Sequence, residues 1–272
     1  LRRPSIDTAL SRRIVSAAAL APPVLLAVYL GPPFSDLLLL LLAAGMAWEW
    51  SRVCGRSRPF GLSEAALTLL APAVLLAAMC SGLAAVFVLL LLAPLLLLAT
   101  QRLSPYGDAE LSWLLLGLFY VVVPLLVLHG LRGADAQGRD LVLWLLLVIW
   151  AADSGAYAFG KTIGGPRLAP RWSPKKTWAG LVGGVACAGV IGSLAASALT
   201  VASPWAMLFL GALLAAVGQG GDLLESAFKR RFEVKDASGL IPGHGGLLDR
   251  VDALLAAAVA LALLMWLGVV SL

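Results

Sequence analysis

Nine times along its 272 residues this chain runs through a stretch of roughly 20 predominantly apolar residues, the length an α-helix needs to cross the hydrocarbon core of a bilayer. The stretches fall at about 14–30, 34–51, 64–80, 82–100, 111–130, 141–160, 178–201, 205–225 and 250–271. In lipid each backbone N–H and C=O must be satisfied within the protein, which restricts such a chain to packed helices. The expected fold is therefore all-α: a polytopic integral membrane bundle of about nine transmembrane helices. Charged residues make up 13% of the chain, about half the share in a soluble domain, and mean hydropathy is +0.94.

The net charge of +5 does not call for nucleic acid, because cytoplasmic loops of membrane proteins collect Lys and Arg. With the N-terminus in the cytoplasm, eighteen of the 20 basic residues fall on the cytoplasmic side and only Arg132 and Arg139 outside. That bias sets the orientation and supports the span count. The first span follows Arg12 and Arg13 but leads into further spans, so it is read as a retained anchor rather than a cleaved leader. Cys54, Cys80 and Cys187 are widely spaced in apolar settings and point to packing, not to disulfides or zinc.

Two regions follow from composition. Residues 1–108 read as Leu/Ala-rich hairpins forming spans 1–4, with Glu49, between Trp48 and Trp50, expected at the interface as a partner for Arg52. Residues 109–272 read as a second membrane region, spans 5–9, with cytoplasmic loops 160–178 and 226–249. No internal repeat of the transporter kind is visible.

The second region carries polar groups at membrane depth. Asp153 lies at the end of the sixth span, where an acid costs about 2.5–3.5 kcal/mol at mid-bilayer and so needs a partner or a wet cavity. A salt bridge to Lys161 or Lys176 is one solution. Ser173-Pro174-Lys175-Lys176-Thr177 stands just before the seventh span, bringing lysines and a helix N-terminus together for an anion. Asp222, Glu225, Ser226 and Lys229 fall at i, i+3, i+4 and i+7, on one helical face. Asp249 and Asp252 share a face at the start of the last span. Between them, Gly239, Pro242, Gly243, Gly245 and Gly246 interrupt regular structure and leave backbone N–H groups able to face an anion. Two acidic helix ends for a cation, with a glycine-rich loop and basic residues for phosphates, make a phosphoryl-type site.

The run from Ser226 to Asp252, with Lys229, Arg230, Asp236, Pro242, His244, Gly245, Gly246, Asp249 and Arg250 at their spacings, resembles the signature of the phosphatidate cytidylyltransferases, or CDP-diacylglycerol synthases. About a dozen identities over these 27 positions carry the resemblance. A second block, Asp153-Ser154-Gly155-Ala156-Tyr157 with Gly160 and then Ser173 to Trp178 and Gly180, is similar to another stretch of that family. Ala179 stands where the family often has Glu, so no carboxylate role falls there.

The resemblance implies transfer of the cytidylyl group of CTP to phosphatidic acid, giving CDP-diacylglycerol and pyrophosphate, by a multi-pass enzyme of a bacterial-type inner membrane. The expected metal ligands are Asp222 and Asp249, binding Mg2+, with a second, monovalent cation such as K+ sharing the site. Lys229, with Arg230, Lys175 and Lys176, is expected to hold the triphosphate. Ser226, Ser173 and Thr177 would donate hydrogen bonds, Arg250 would hold the lipid headgroup, and Lys235 and Asp236 would help bind substrate. Gly243, His244, Gly245 and Gly246 would let the backbone approach the nucleotide, with His244 a loop or phosphate ligand rather than a base. A phosphate monoester, with its second pKa near 6, is already largely dianionic and needs no base. Asp153, Glu225 and Asp252 are expected to orient these groups from behind. A homodimer is also implied. A CDP-alcohol phosphotransferase is disfavoured by the missing Asp-x-x-Asp-Gly-x-x-Ala-Arg run. A cation-coupled transporter, the alternative from another class, would place its charges nearer the midplane in repeated halves.

Overall fold

The structure, a computed structural model, describes residues 6–55, 61–103, 110–199, 202–241 and 245–270, with no side-chain description before residue 18. Among the described residues it contains nine helices and one small hairpin: α1 (Ile6–Leu30), α2 (Phe34–Gly55), α3 (Leu62–Ser81), α4 (Leu83–Leu103), α5 (Leu111–Arg132), α6 (Ala136–Thr162), β1 (Arg167–Ala169), β2 (Ser173–Thr177), α7 (Trp178–Leu199), α8 (Pro204–Arg231) and α9 (Leu248–Trp266). The protein is a polytopic helical membrane protein, as the apolar pattern predicts. Seven helices, α2 to α8, are long and apolar enough to cross a membrane by length and composition. The apolar part of α1 is the shorter run Ala18–Leu30, and α9 opens on Asp249, Arg250 and Asp252.

The chain divides into two compact units, each discontinuous in sequence: 1–129 with 231–250, and 130–230 with 251–272. In the first, α1, α2, α3 and α4 pack in sequence order, as short connections favour. Its core includes Met46, Trp50, Leu67, Leu75, Leu97, Leu114, Leu118 and Leu125. Trp50 is fully enclosed because its indole fills the space left by Gly117 and donates to the Trp113 carbonyl at 2.8 Å. Burying the indole without that acceptor would cost the hydrogen bond it makes in water.

In the second unit α6 and α7 run in close contact. The reason is a stripe of small residues. A Cβ on Gly184 would lie 2.7 Å from the Ala152 carbonyl oxygen, and one on Gly180 would lie 2.9 Å from that of Ala156. In membranes such stripes let backbones approach and gain dispersion contacts. Trp144 locks the pair further by donating to the Gly192 carbonyl at 2.8 Å. A Gly184→Val substitution meets backbone rather than a flexible side chain, so the helices must part. The expected loss is about 1–3 kcal/mol, checked by thermal unfolding in detergent against Ala179→Val.

The hairpin is a departure from the sequence reading, which took residues 160–178 as loop. Gly164 and Gly165, at φ +67° and +91°, reverse the chain after α6, and β1 then pairs antiparallel with β2, Arg167 opposite Thr177 and Ala169 opposite Ser173. Strands of three and five residues carrying Pro174, Lys175 and Lys176 lack the alternation by which strands are recognised. Helix ends also extend: α8 runs to Arg231, past the expected end near 225, because Glu225 and Lys229 satisfy one another along it.

Candidate active site

In the second unit β2 delivers Lys176 to α8. Its Nζ lies 2.5 Å from Asp222 Oδ2, and the Ser226 hydroxyl approaches Asp222 Oδ1 at 3.4 Å. On the same helix, Lys229 Nζ meets Glu225 Oε2, four residues before it, at 2.6 Å. The predicted face of Asp222, Glu225, Ser226 and Lys229 is therefore an ionic ladder. It is graded in depth: Glu225 and Lys229 are buried, Asp222 and Ser226 half-buried.

Asp252, on α9, is buried and feels the like charges of Asp222 and Asp153 and the opposite charge of Lys176. Its Oδ1 accepts the Ala253 N–H at 2.8 Å. Gly221 permits this gathering, since a Cβ there would come within 2.5 Å of the Ala256 side chain and 2.9 Å of the Asp252 carbonyl. Asp153 itself is exposed. Lys161 lies 5.6 Å from the Tyr157 ring centre.

Thr177 ends the hairpin as a buried cap on α7, its hydroxyl accepting the Gly180 N–H at 3.1 Å. Ser173 is half-buried and Lys175 exposed on β2. Arg230 is exposed and its Nε–H donates to the Trp172 carbonyl at 3.3 Å, fastening the end of α8 to the hairpin turn.

In the first unit residues 235–241 and 245–250 gather around two carboxylates. Asp249 Oδ2 accepts the N–H groups of Gly246, at 2.7 Å, and Ala237, at 3.1 Å. Gly245 adopts φ +85°, and a Cβ there would lie 2.8 Å from the same oxygen. Ile241 N–H donates to the Gly245 carbonyl at 2.9 Å. Lys235, Asp236 and Arg250 are exposed. Gly243 and His244 lie outside the described residues.

The second carboxylate is Glu49, and here the expectation is corrected. It is not an interfacial partner of Arg52, whose guanidinium instead lies over Trp48 at 5.9 Å. Glu49 is fully buried and accepts the N–H groups of Leu247 and Leu248 and the Ser238 hydroxyl. The argument applied to Asp153, that an acid in an apolar helix needs a partner, would have singled it out. His129 pairs with Asp36 at 3.1 Å and belongs to neither cluster.

Among the described residues no three His, Cys, Asp or Glu side chains form a closed metal cage. Mg2+ does not require one, since it takes one or two carboxylates together with waters and substrate oxygens. Asp222 fits that chemistry: a hard-oxygen group, half-exposed, that already holds a cationic nitrogen.

Fold and site together define an integral membrane protein of packed helices with ionic groups gathered on helix ends and on the loops between them. Comparison with known proteins narrows the class. The model of the "Cytidylyltransferase family" matches residues 11–267. A phosphatidate cytidylyltransferase of Brucella suis is 38% identical over 257 residues, 93% of this chain and 92% of its own length. One from Pseudomonas aeruginosa is 36% identical over 265 residues, 94% and 97% of the two chains, and one from Bacillus subtilis is 38% identical over 147 residues, 54% and 55%. The chain belongs to the cytidylyltransferase family.

Proposed function

We propose that this protein transfers the cytidylyl group of CTP to phosphatidic acid, forming CDP-diacylglycerol and releasing pyrophosphate. Besides the family, the observation that carries the reading is the Asp222–Lys176 pair flanked by Ser226. It sets an acidic group for a cation beside a basic one for phosphate. No observation favours the cation-coupled transporter.

In the reaction an oxygen of the lipid phosphate attacks the α-phosphorus of CTP in line. One P–O bond forms, the bond to the β-phosphate bridging oxygen breaks, and pyrophosphate leaves. The obstacle is the approach of two polyanions, so neutralisation and positioning supply most of the acceleration. Lys176, Lys175 and Arg230 neutralise the triphosphate and the leaving group, the Ser226 hydroxyl donates to a phosphate oxygen, and Arg250 holds the lipid headgroup. Lys229 contributes its charge from within the pair with Glu225. Asp222 and Asp249 are the proposed ligands of Mg2+, which when bound would neutralise phosphate charge and lower the barrier as a Lewis acid. A monovalent cation beside it, a homodimer, an inner-membrane location and a cytoplasmic site belong to the same proposal. The apolar spans admit a diacyl substrate sideways from the bilayer.

The test is formation of CDP-lipid and pyrophosphate by purified protein in detergent with phosphatidate, CTP and Mg2+. Turnover is expected only when all three are present. A well-folded protein that makes no CDP-lipid across lipids, nucleotides and metals overturns the proposal.

A further inference from the structure

We infer that Glu49 is a positioning residue for the Asp249 loop, an inference that rests on the role proposed for Asp249. Three donors converge on its carboxylate. The Ser238 hydroxyl and the Leu247 N–H reach Oε1 at 2.5 and 2.8 Å, and the Leu248 N–H reaches Oε2 at 2.7 Å. An isolated buried carboxylate is very costly, so this one persists because the donors replace its water.

The donors lie where α9 begins. The first N–H groups of a helix lack intrahelical acceptors, and the dipole favours an anion there. Neither Gly246 nor Leu247 offers a side-chain acceptor, so the helix takes its cap from α2. The sequence makes room for this. Gly45, one turn before Glu49 on the same face, receives the Leu247 side chain in the space a Cβ would fill, and a Cβ on Gly246 would lie 2.5 Å from Glu49 Oε1.

Asp249 grips the neighbouring peptide. Its Oδ2 accepts the Gly246 N–H, while Glu49 holds the next two N–H groups in sequence. The direction of the Asp249 side chain is set by where Gly246 N–H lies, and that is set by the Leu247 peptide held on Glu49. Ser238 extends the grip to the other end of the loop, its oxygen also accepting the Leu240 N–H at 3.1 Å.

Glu49→Gln keeps the shape but offers one acceptor oxygen and turns an amide donor toward a donor. In metal-free protein, hydrogen exchange at Leu247 and Leu248 is expected to quicken by about tenfold, with Leu261 in the body of α9 unchanged. The Mg2+ concentration giving half-maximal CDP-lipid formation is expected to rise by about tenfold, the scale seen when a group orienting a metal ligand is lost. Ser238→Ala, which removes one donor and leaves the two backbone bonds, should move both readouts the same way by a smaller factor, and it stands in should Glu49→Gln not fold. Unchanged Mg2+ dependence in a folded Glu49→Gln protein, or in Ser238→Ala where the former does not fold, overturns the inference. So does unchanged exchange at Leu247 and Leu248. A wild-type protein that makes no CDP-lipid instead overturns the role of Asp249, and with it the positioning role, while the exchange experiment then still reports whether Glu49 is the cap.

Discussion

Replacing Asp222 with Asn is expected to lower CDP-lipid formation about a thousandfold, equivalent to roughly 4 kcal/mol of transition-state stabilisation. The same change should barely touch folding. Asp222 and Lys176 have side chains 28% and 18% exposed, and an ion pair open to solvent contributes at most about 1 kcal/mol. Asn also keeps an oxygen for the Ser226 hydroxyl. The measurement is the rate of CDP-lipid formation with saturating CTP and Mg2+, alongside the unfolding midpoint in the same detergent. A folded Asn variant within tenfold of wild type would remove Asp222 from the site.

Lys229→Met has the opposite profile, a large cost in stability as well as activity. Glu225 is 1% exposed and Lys229 8%, and their atoms meet at 2.6 Å. Deleting one member of a buried pair leaves the other charge desolvated against its former partner, at a cost of about 3–5 kcal/mol. Combining Glu225→Gln with Lys229→Met removes both charges and should restore the unfolding midpoint to near that of wild type. The double variant then isolates the chemistry. If it is stable yet inactive, the pair acts in the reaction as well as in folding. Recovery of activity together with stability would make Lys229 a structural residue only.

These two residues also show what sequence conveys here. Periodicity places Asp222, Glu225, Ser226 and Lys229 on one face, and the structure keeps them there. Spacing along a helix cannot say which member is buried, so the deep Glu225–Lys229 pair and the shallower Asp222 look alike in one dimension. The helices themselves are legible because lipid permits so few alternatives. The hairpin is not, since its two strands are short, contain Pro174 and gain their pairing from Gly164 and Gly165 reversing the chain. Gly245 and Gly246 also make room for Asp249 and Glu49, which no local pattern announces. The partners of Glu49 lie nearly 200 residues away, beyond any local pattern.

That separation has a consequence for how the protein is made. Glu49 and Leu247 are 198 residues apart in the chain, and synthesis proceeds at about 5–20 residues per second. Roughly 10–40 s pass between the emergence of the carboxylate and that of the backbone groups it will bind. Throughout that interval the Glu49 carboxylate lacks its final donors, so water or the insertion machinery must satisfy it. The loop that carries Leu247 and Leu248 then completes the unit that α2 began.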